Sequence, residues 1–247
     1  MKHLVYGILS DGRGSMRGVL PPGVEGAEVF LVAEGGLAAA CSMVPDGCAT
    51  PTVPRATAYA WVVAALHKVA AVVPFRYGNS LENREQVLEL MQAHRAEFLR
   101  SLEEVEGCDE MGLRVLLEDR PGPAYASSAC APPGGAGRKY LEGRRAHYAA
   151  EECDEALAAQ AAAEARGALE GLAVKCREDR SSAPANPLGR VLSLFFLVRR
   201  KDVERFREAF RQLEQETSAK MLLTGPWPPY NFVGSPHLDL DGRAERD

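Results

Sequence analysis

The side chains of this chain that could do chemistry mostly stand apart from the partners that chemistry would need. Gly12-Arg13-Gly14-Ser15-Met16-Arg17-Gly18 follows an apolar run, as a phosphate-cradling loop would. It leads, however, into Leu20-Pro21-Pro22-Gly23 and not into a helix whose amides could hold an anion, so it reads as a flexible loop. No G-x-x-x-x-G-K-[ST], H-E-x-x-H or G-x-S-x-G stretch is present. The five histidines (His3, His67, His94, His147, His237) are far apart in sequence, and His94 falls on an apolar helix face, as a satisfied core imidazole would. Glu151-Glu152 and Asp154-Glu155 occupy consecutive helix positions that point different ways, which suits a solvated face and not a metal site. Six cysteines (Cys41, Cys48, Cys108, Cys130, Cys153, Cys176) include no C-x-x-C pair and read as small buried hydrophobes in a reducing compartment. Arg76 is the exception that needs a partner. It lies inside the apolar run Val72–Tyr77, and a buried guanidinium must find a carboxylate or carbonyls. A structural ion pair with a glutamate such as Glu110 is the expectation, with a substrate anion site as the alternative.

One stretch has the chemistry of recognition, not of catalysis. In TGPWPPYNFV (residues 224–233) Pro226, Pro228 and Pro229 lack amide donors, and Gly225, Trp227 and Pro228 each precede a proline. The run is therefore stiff and extended, close to polyproline II, and is neither a helix nor a central strand. Trp227 and Tyr230 would make good contacts for a partner. Because the motif directly follows a core strand, the favoured reading is that the tail folds back and both rings plug a seam of their own protein.

The elements that must position these residues follow from hydrophobic period. His3–Leu9 is a strand. Glu28–Val32 and Leu37–Val44 flank Glu34-Gly35-Gly36 as a hairpin. A helix over 58–70, apolar nearly all round, should be buried between layers. Val72–Gly78 is a strand. Val87, Met91, His94, Phe98, Leu102 and Val105 mark one amphipathic helix, capped by Asn83 with Gln86 and stopped at Gly107. After Gly112 come a strand over 113–118, a Pro/Gly/Ser/Ala loop over 121–137 and a long helix over 138–171 whose stripe is Ala149, Cys153, Leu157, Ala161, Ala165, Ala168 and Leu172. A strand over 172–177, the apolar strand Arg190–Val198, a helix capped by Asp202 and a strand over 220–224 complete the chain. The order in the second half is strand, helix, strand, strand, helix, strand, which is ferredoxin-like. The expected fold class is α+β in two domains: residues 1–108 a modified ferredoxin-like domain, residues 109–233 a ferredoxin-like domain with a long helix, and residues 234–247 a polar tail.

With 247 residues, 46% hydrophobic and 26% charged, the composition is that of a globular protein. A net charge of −5 without a long basic run argues against nucleic acid or an anionic membrane as the main partner. No stretch reaches the roughly 18 apolar residues of a membrane span, so a cytoplasmic protein is expected.

TGPWPPYNFV closely resembles the C-terminal signature of the gas vesicle accessory proteins of the F/L family. Leu4-Val5-Tyr6-Gly7-Ile8 is similar to that family's opening strand, and Leu37-Ala38-Ala39-Ala40-Cys41-Ser42 to its following hairpin. Pro74-Phe75-Arg76-Tyr77-Gly78-Asn79 resembles its proline, arginine, glycine strand, with tyrosine where the family usually has phenylalanine. Gly107, Glu110 and Val115 match its domain junction, and Gly137-Arg138-Lys139-Tyr140-Leu141 the start of its long helix. Ser193-Leu194-Phe195-Phe196-Leu197-Val198 departs from it, since the family tends to Asn and Ala before its Phe-Leu-Val. The resemblance runs in order from Leu4 to Val233. It implies a non-enzymatic role in building gas vesicles, binding the hydrophobic shell protein and other accessory proteins, with no cofactor and no metal. It also implies structural or partner-binding duty for Tyr6, Pro74, Arg76, Tyr77, Gly78, Glu110, Tyr140, Gly225, Pro226, Trp227, Pro228, Pro229, Tyr230 and Phe232. The alternatives are a small-molecule enzyme with a cleft near Arg76 and Tyr77, or a minor structural component of the vesicle wall.

Overall fold

β1 (Lys2–Ser10) opens the chain with seven consecutive buried residues, His3 to Leu9. A strand apolar on both faces belongs inside a sheet. β1 accordingly lies between β3 (Leu37–Val44) and β4 (Val72–Pro74), with β2 (Val29–Glu34) beyond β3 and β5 (Ser80–Leu81) also paired to β1. This computed structural model describes residues 1–11, 20–48, 50–117, 144–145, 148, 156, 159–179, 190–217 and 220–234. The β2–β3 hairpin forms because Gly35 and Gly36 both take positive φ (57° and 84°), the twist a two-residue turn needs. Gly7 serves a different end. It sits at a register shift of the β1–β3 ladder, and a Cβ there would lie 2.8 Å from Val72 Cγ2 and from the Val73 oxygen.

That irregularity sorts the side chains of β1. Leu4, Tyr6 and Leu9 join Ala38, Ala40 and Val44 on one face, while Val5 and Ile8 join Leu37, Ala39 and Cys41 on the other. Burial pushes the Cys41 thiol up to about 12. α1 (Val53–Val69) covers the first face with Tyr59, Val62, Val63 and Leu66. Its start is earlier than the proline-rich flank suggests, because Pro54 falls in the first turn, where a missing amide costs nothing. Nor is α1 buried all round. Trp61 is 65% exposed and Val53 82%, so the helix has an apolar outer side.

α2 (Arg84–Ala93) and α3 (Arg95–Val105) cover the second face with Val87, Leu90, Met91, Phe98, Leu102 and Val105. Asn83 accepts the Gln86 amide at 2.9 Å, as the cap expected from sequence. The single expected helix is broken at His94 (φ −108°, ψ 17°), which faces Glu97 at 3.2 Å and is not a core imidazole. A continuous 3.6-residue period cannot register such a break, because the apolar face resumes in phase after it.

By contacts the chain groups into two compact units, the first comprising Met1–Glu110, Leu197–Arg200 and Gly225–Asp247, the second Met111–Phe196 and Lys201–Thr224. A second sheet has the order β7-β8-β6-β9, formed by β6 (Cys108–Leu117), β7 (Lys175–Asp179), β8 (Arg190–Arg199) and β9 (Lys220–Trp227). β6 starts at Cys108, the last residue of the expected first domain. In the second unit Met111, Leu113 and Val115 alternate inward, as do Leu192, Leu194 and Phe196. α4, helical over 159–169 among the described residues, buries Ala162, Ala165 and Leu169; Ala168, expected in that stripe, is exposed. Ala149, Cys153 and Leu157 of the stripe lie outside the described residues, as does the loop over 121–137. α5 (Val203–Glu216) buries Val203, Phe206, Phe210 and Leu213 as its spacing predicts, with Phe206 tilted against Phe196 at 5.2 Å. Asp202 makes no side-chain cap bond. It faces Arg205 at 3.7 Å instead.

Candidate functional site

β1 pairs with β4 through residues 7–9 and with β5 through residues 3–4, which leaves a gap in the ladder opposite Val5 and Tyr6. Pro74-Phe75-Arg76-Tyr77-Gly78-Asn79 spans it. The Phe75 amide donates to the Tyr6 oxygen at 2.9 Å and the Val5 amide to the Asn79 oxygen at 3.0 Å. Carbonyls crowd where the strands part, and buried carbonyls need donors. Tyr59 of α1 supplies one, its hydroxyl lying 2.8 Å from the Val5 oxygen and 2.9 Å from the Phe75 oxygen. Around it the Tyr6 ring stacks at 4.8 Å and the Tyr77 ring meets it edge-on at 5.2 Å. The Tyr6 hydroxyl sits 2.7 Å from Ser42 Oγ and accepts the Val24 amide at 3.1 Å, while the Tyr77 hydroxyl donates to the Cys48 oxygen. Burial raises the phenol of Tyr59 well above its ordinary value, and that of Tyr6 as well. This cluster is therefore a neutral hydrogen-bonding knot, not a source of phenolate.

The tail reaches the same unit. β9 carries the motif through Gly225, Pro226 and Trp227 as the margin strand of its sheet, a place where proline is tolerated. The polyproline-like course expected for the whole stretch holds only briefly. Past Pro228 and Pro229 the chain turns, with the Tyr230 amide donating to the Pro228 oxygen at 2.9 Å and the Phe232 amide to the Pro229 oxygen at 3.2 Å. Tyr230 then packs on the α1-side core, and Phe232 and Val233 on the core under α2 and α3. Between them Asn231 donates to Glu110 twice, from its amide at 2.8 Å and from Nδ2 at 2.6 Å. Glu110 is only 4% exposed, so these two donors meet a carboxylate that burial would otherwise leave costly.

Two sequence expectations fail here. Arg76 is exposed, its run leaves the sheet after Pro74, and no carboxylate among the described residues pairs with it. Glu110 bonds the tail in its place. The second expectation placed both tail rings inside; Tyr230 is partly buried against the α1-side core, but Trp227 is 53% exposed. Gly78 turns the chain with φ 105°, and Tyr140 lies outside the described residues.

A charged cluster was not anticipated at all. Asp109 Oδ1 lies 2.7 Å from His67 Nε2 and 3.2 Å from Arg200 Nε, and Arg200 also donates to the His67 oxygen. Burial alone would raise the Asp109 carboxyl, but the His67 hydrogen bond and the charges of His67 and Arg200 outweigh it and hold the group below its ordinary value. Three residues so far apart in sequence give no local signal. Tyr59 did give one, as a phenol set among the Ala and Val of its helix. Among the described residues, His67 is engaged by an aspartate and an arginine, and the buried thiols of Cys41 and Cys108 have raised values through desolvation.

Comparison with known proteins supplies an identity for the pattern. The chain is 28% identical over 250 residues to "Gas vesicle protein L" of Streptomyces sp., covering 92% of each protein. Its fold is similar to the crystal structure of the gas vesicle protein GvpF from Anabaena sp., with a TM-score of 0.75, 14% identity, and 96% and 97% of the two chains covered. It is equally similar to GvpF from Microcystis aeruginosa, with a TM-score of 0.74, 12% identity, and 95% and 99% covered. The model of the gas vesicle synthesis protein GvpL/GvpF family matches residues 2–234, and the chain belongs to that family.

Proposed function

We propose that this chain is a non-enzymatic accessory protein of gas vesicle formation, acting in the cytoplasm and at the vesicle. In this reading it binds the hydrophobic shell protein, other accessory proteins or both, and so assists nucleation or assembly. The match to the gas vesicle synthesis family over residues 2–234 carries the reading. The physical task agrees with it: a very apolar subunit must be kept from pairing edge to edge until it joins the growing wall. A carrier with open sheet margins can hold such a subunit, and a net charge of −5 helps to keep the pair dispersed. No described helix is long and apolar enough to cross a membrane.

The second half is proposed to be a ferredoxin-like domain beginning near residue 109. The chain order β6, α4, β7, β8, α5, β9 supports this. Among the motif residues, Tyr6, Tyr77, Glu110, Tyr230 and Phe232 are proposed as structural, because each is engaged within the first unit. Trp227 is the one proposed as a partner contact, since a half-exposed tryptophan on a stiff strand suits recognition.

The test is genetic. In a host that makes gas vesicles, removing this chain abolishes them, and expressing it from a plasmid restores them. Normal vesicles in its absence would refute the reading.

A further inference from the structure

Sheets guard their margins against unwanted pairing with short strands, charge or proline. Among the described strands three of the four margins follow that rule, with the two-residue β5 sharing the margin of β4. β4 is three residues long and ends in Pro74, β7 reads Lys-Cys-Arg-Glu-Asp, and β9 carries Gly225 and Pro226. β2 does not follow it. Val29-Phe30-Leu31-Val32-Ala33-Glu34 has no proline and a single terminal charge, and among the described residues β3 is the strand it pairs with.

The hairpin fixes which groups are offered. A two-residue turn makes Glu34 and Leu37 a hydrogen-bonded pair, so Val32 and Phe30 also bond inward to β3. The amides and carbonyls of Val29, Leu31 and Ala33 then point outward, and the Leu31 side chain is 37% exposed. Arg95 donates to the Gly35 oxygen from Nε at 3.0 Å and Nη2 at 2.9 Å, tying the turn to α3. The edge is thus presented on a held hairpin, which lowers the entropic cost of docking.

We propose that the outer edge of β2 binds one extended apolar segment of another protein, with a basic residue at each end, as an added strand. Charge selects this occupant over a second copy of the chain. Glu28 and Glu34 are exposed at the two ends of the edge. In the self-pairing that uses all three outward residues, Leu31 meets Leu31, Val29 meets Ala33 and Glu28 meets Glu34, twice over. Like charges directly opposite destabilise a sheet. A strand with a cation at each end is matched instead, in either direction. That this segment belongs to a vesicle protein rests on the assembly reading above; the binding chemistry does not.

The probe is a synthetic peptide, Lys-Thr-Val-Thr-Val-Thr-Lys, as long as the stretch from Glu28 to Glu34, with a counterpart carrying Glu at both ends. At millimolar concentration the Lys peptide slows hydrogen exchange at the Val29, Leu31 and Ala33 amides. It binds roughly tenfold more tightly than the Glu peptide, as two matched cross-strand pairs allow. Leu31→Pro removes a donor at a margin position that tolerates proline, and abolishes binding without unfolding. The double change Glu28→Lys with Glu34→Lys reverses the peptide preference, and decides the matter if Leu31→Pro fails to fold. Equal affinity for both peptides, protection elsewhere, no protection, or undiminished binding by a folded Leu31→Pro chain would overturn the proposal. Vesicles that form without this chain would overturn the assembly reading and leave the β2 edge standing; a chain that restores vesicles but ignores the Lys peptide would do the reverse.

Discussion

On the α2/α3 side of the first sheet, Val5, Ile8, Leu37, Ala39 and Cys41 meet Phe98, Met91, Leu102 and Val105 in a core held by area and shape. On the α1 side the same two strands meet Tyr59, and there its hydroxyl reaches the Val5 and Phe75 carbonyls where the pairing of β1 passes from β4 to β5. The difference shows what an irregular sheet demands. Where pairing is continuous, apolar packing suffices; where β1 passes from β4 to β5, the layer above must supply donors. The tail draws on both kinds, with Tyr230 on the polar-tipped side, Phe232 and Val233 on the apolar side, and Asn231 clamped to Glu110 between them.

The contrast can be broken from either side. Phe98→Ala should cost about 3–5 kcal/mol, the usual range for emptying a buried aromatic site, read as a fall in denaturant midpoint at unchanged slope. Tyr59→Phe keeps shape and area yet should cost about 1–3 kcal/mol, because it leaves carbonyls unanswered. A loss below 0.5 kcal/mol would mean the hydroxyl is ornamental. The same variant has a pH signature. Burial raises the Tyr59 phenol, so the stability linked to it is present below the ordinary tyrosine value near 10 and is lost as pH rises beyond that. Tyr59→Phe should therefore flatten the alkaline limb of a stability profile, whereas Phe98→Ala should lower the whole profile without changing its shape.

Asp109 gives a smaller effect of opposite sign. Its carboxyl is held below its ordinary value, so its contribution is present above about pH 4 and is lost as pH falls further. Asp109→Asn should lose stability at neutral pH and show a shallower acid limb. The smallest effect is expected at the other end of the tail: Trp227→Ala, at a half-exposed site, should change stability by no more than about 0.5 kcal/mol. A larger loss would make the indole part of the core.

What could be read from sequence divides along the same line. The α2/α3 side was legible, since Val87, Met91, Phe98, Leu102 and Val105 repeat at helical spacing and Gly35-Gly36 specifies its turn. β8, with its apolar run, was legible as an interior strand. The α1 side was not, because Ala and Val surround the helix and conceal which face is inward, and Trp61 proved to be outward. Arg76 misled for a related reason. Its apolar neighbours suggest a continuing strand, but Pro74 ends the pairing and the chain bulges out to receive Tyr59. Glu110 was singled out as a motif residue, yet its partner Asn231 lies 121 residues away, where no period or propensity points to it. The family was legible because TGPWPPYNFV is a dense and unusual string.

The claim that this chain handles the shell subunit is tested most directly by light scattering. Denatured shell protein is diluted into buffer with and without an equal molar amount of this chain, and the soluble fraction is then sized. Suppressed scattering with a co-eluting complex is the predicted result. Unchanged scattering with the two proteins eluting apart would contradict it.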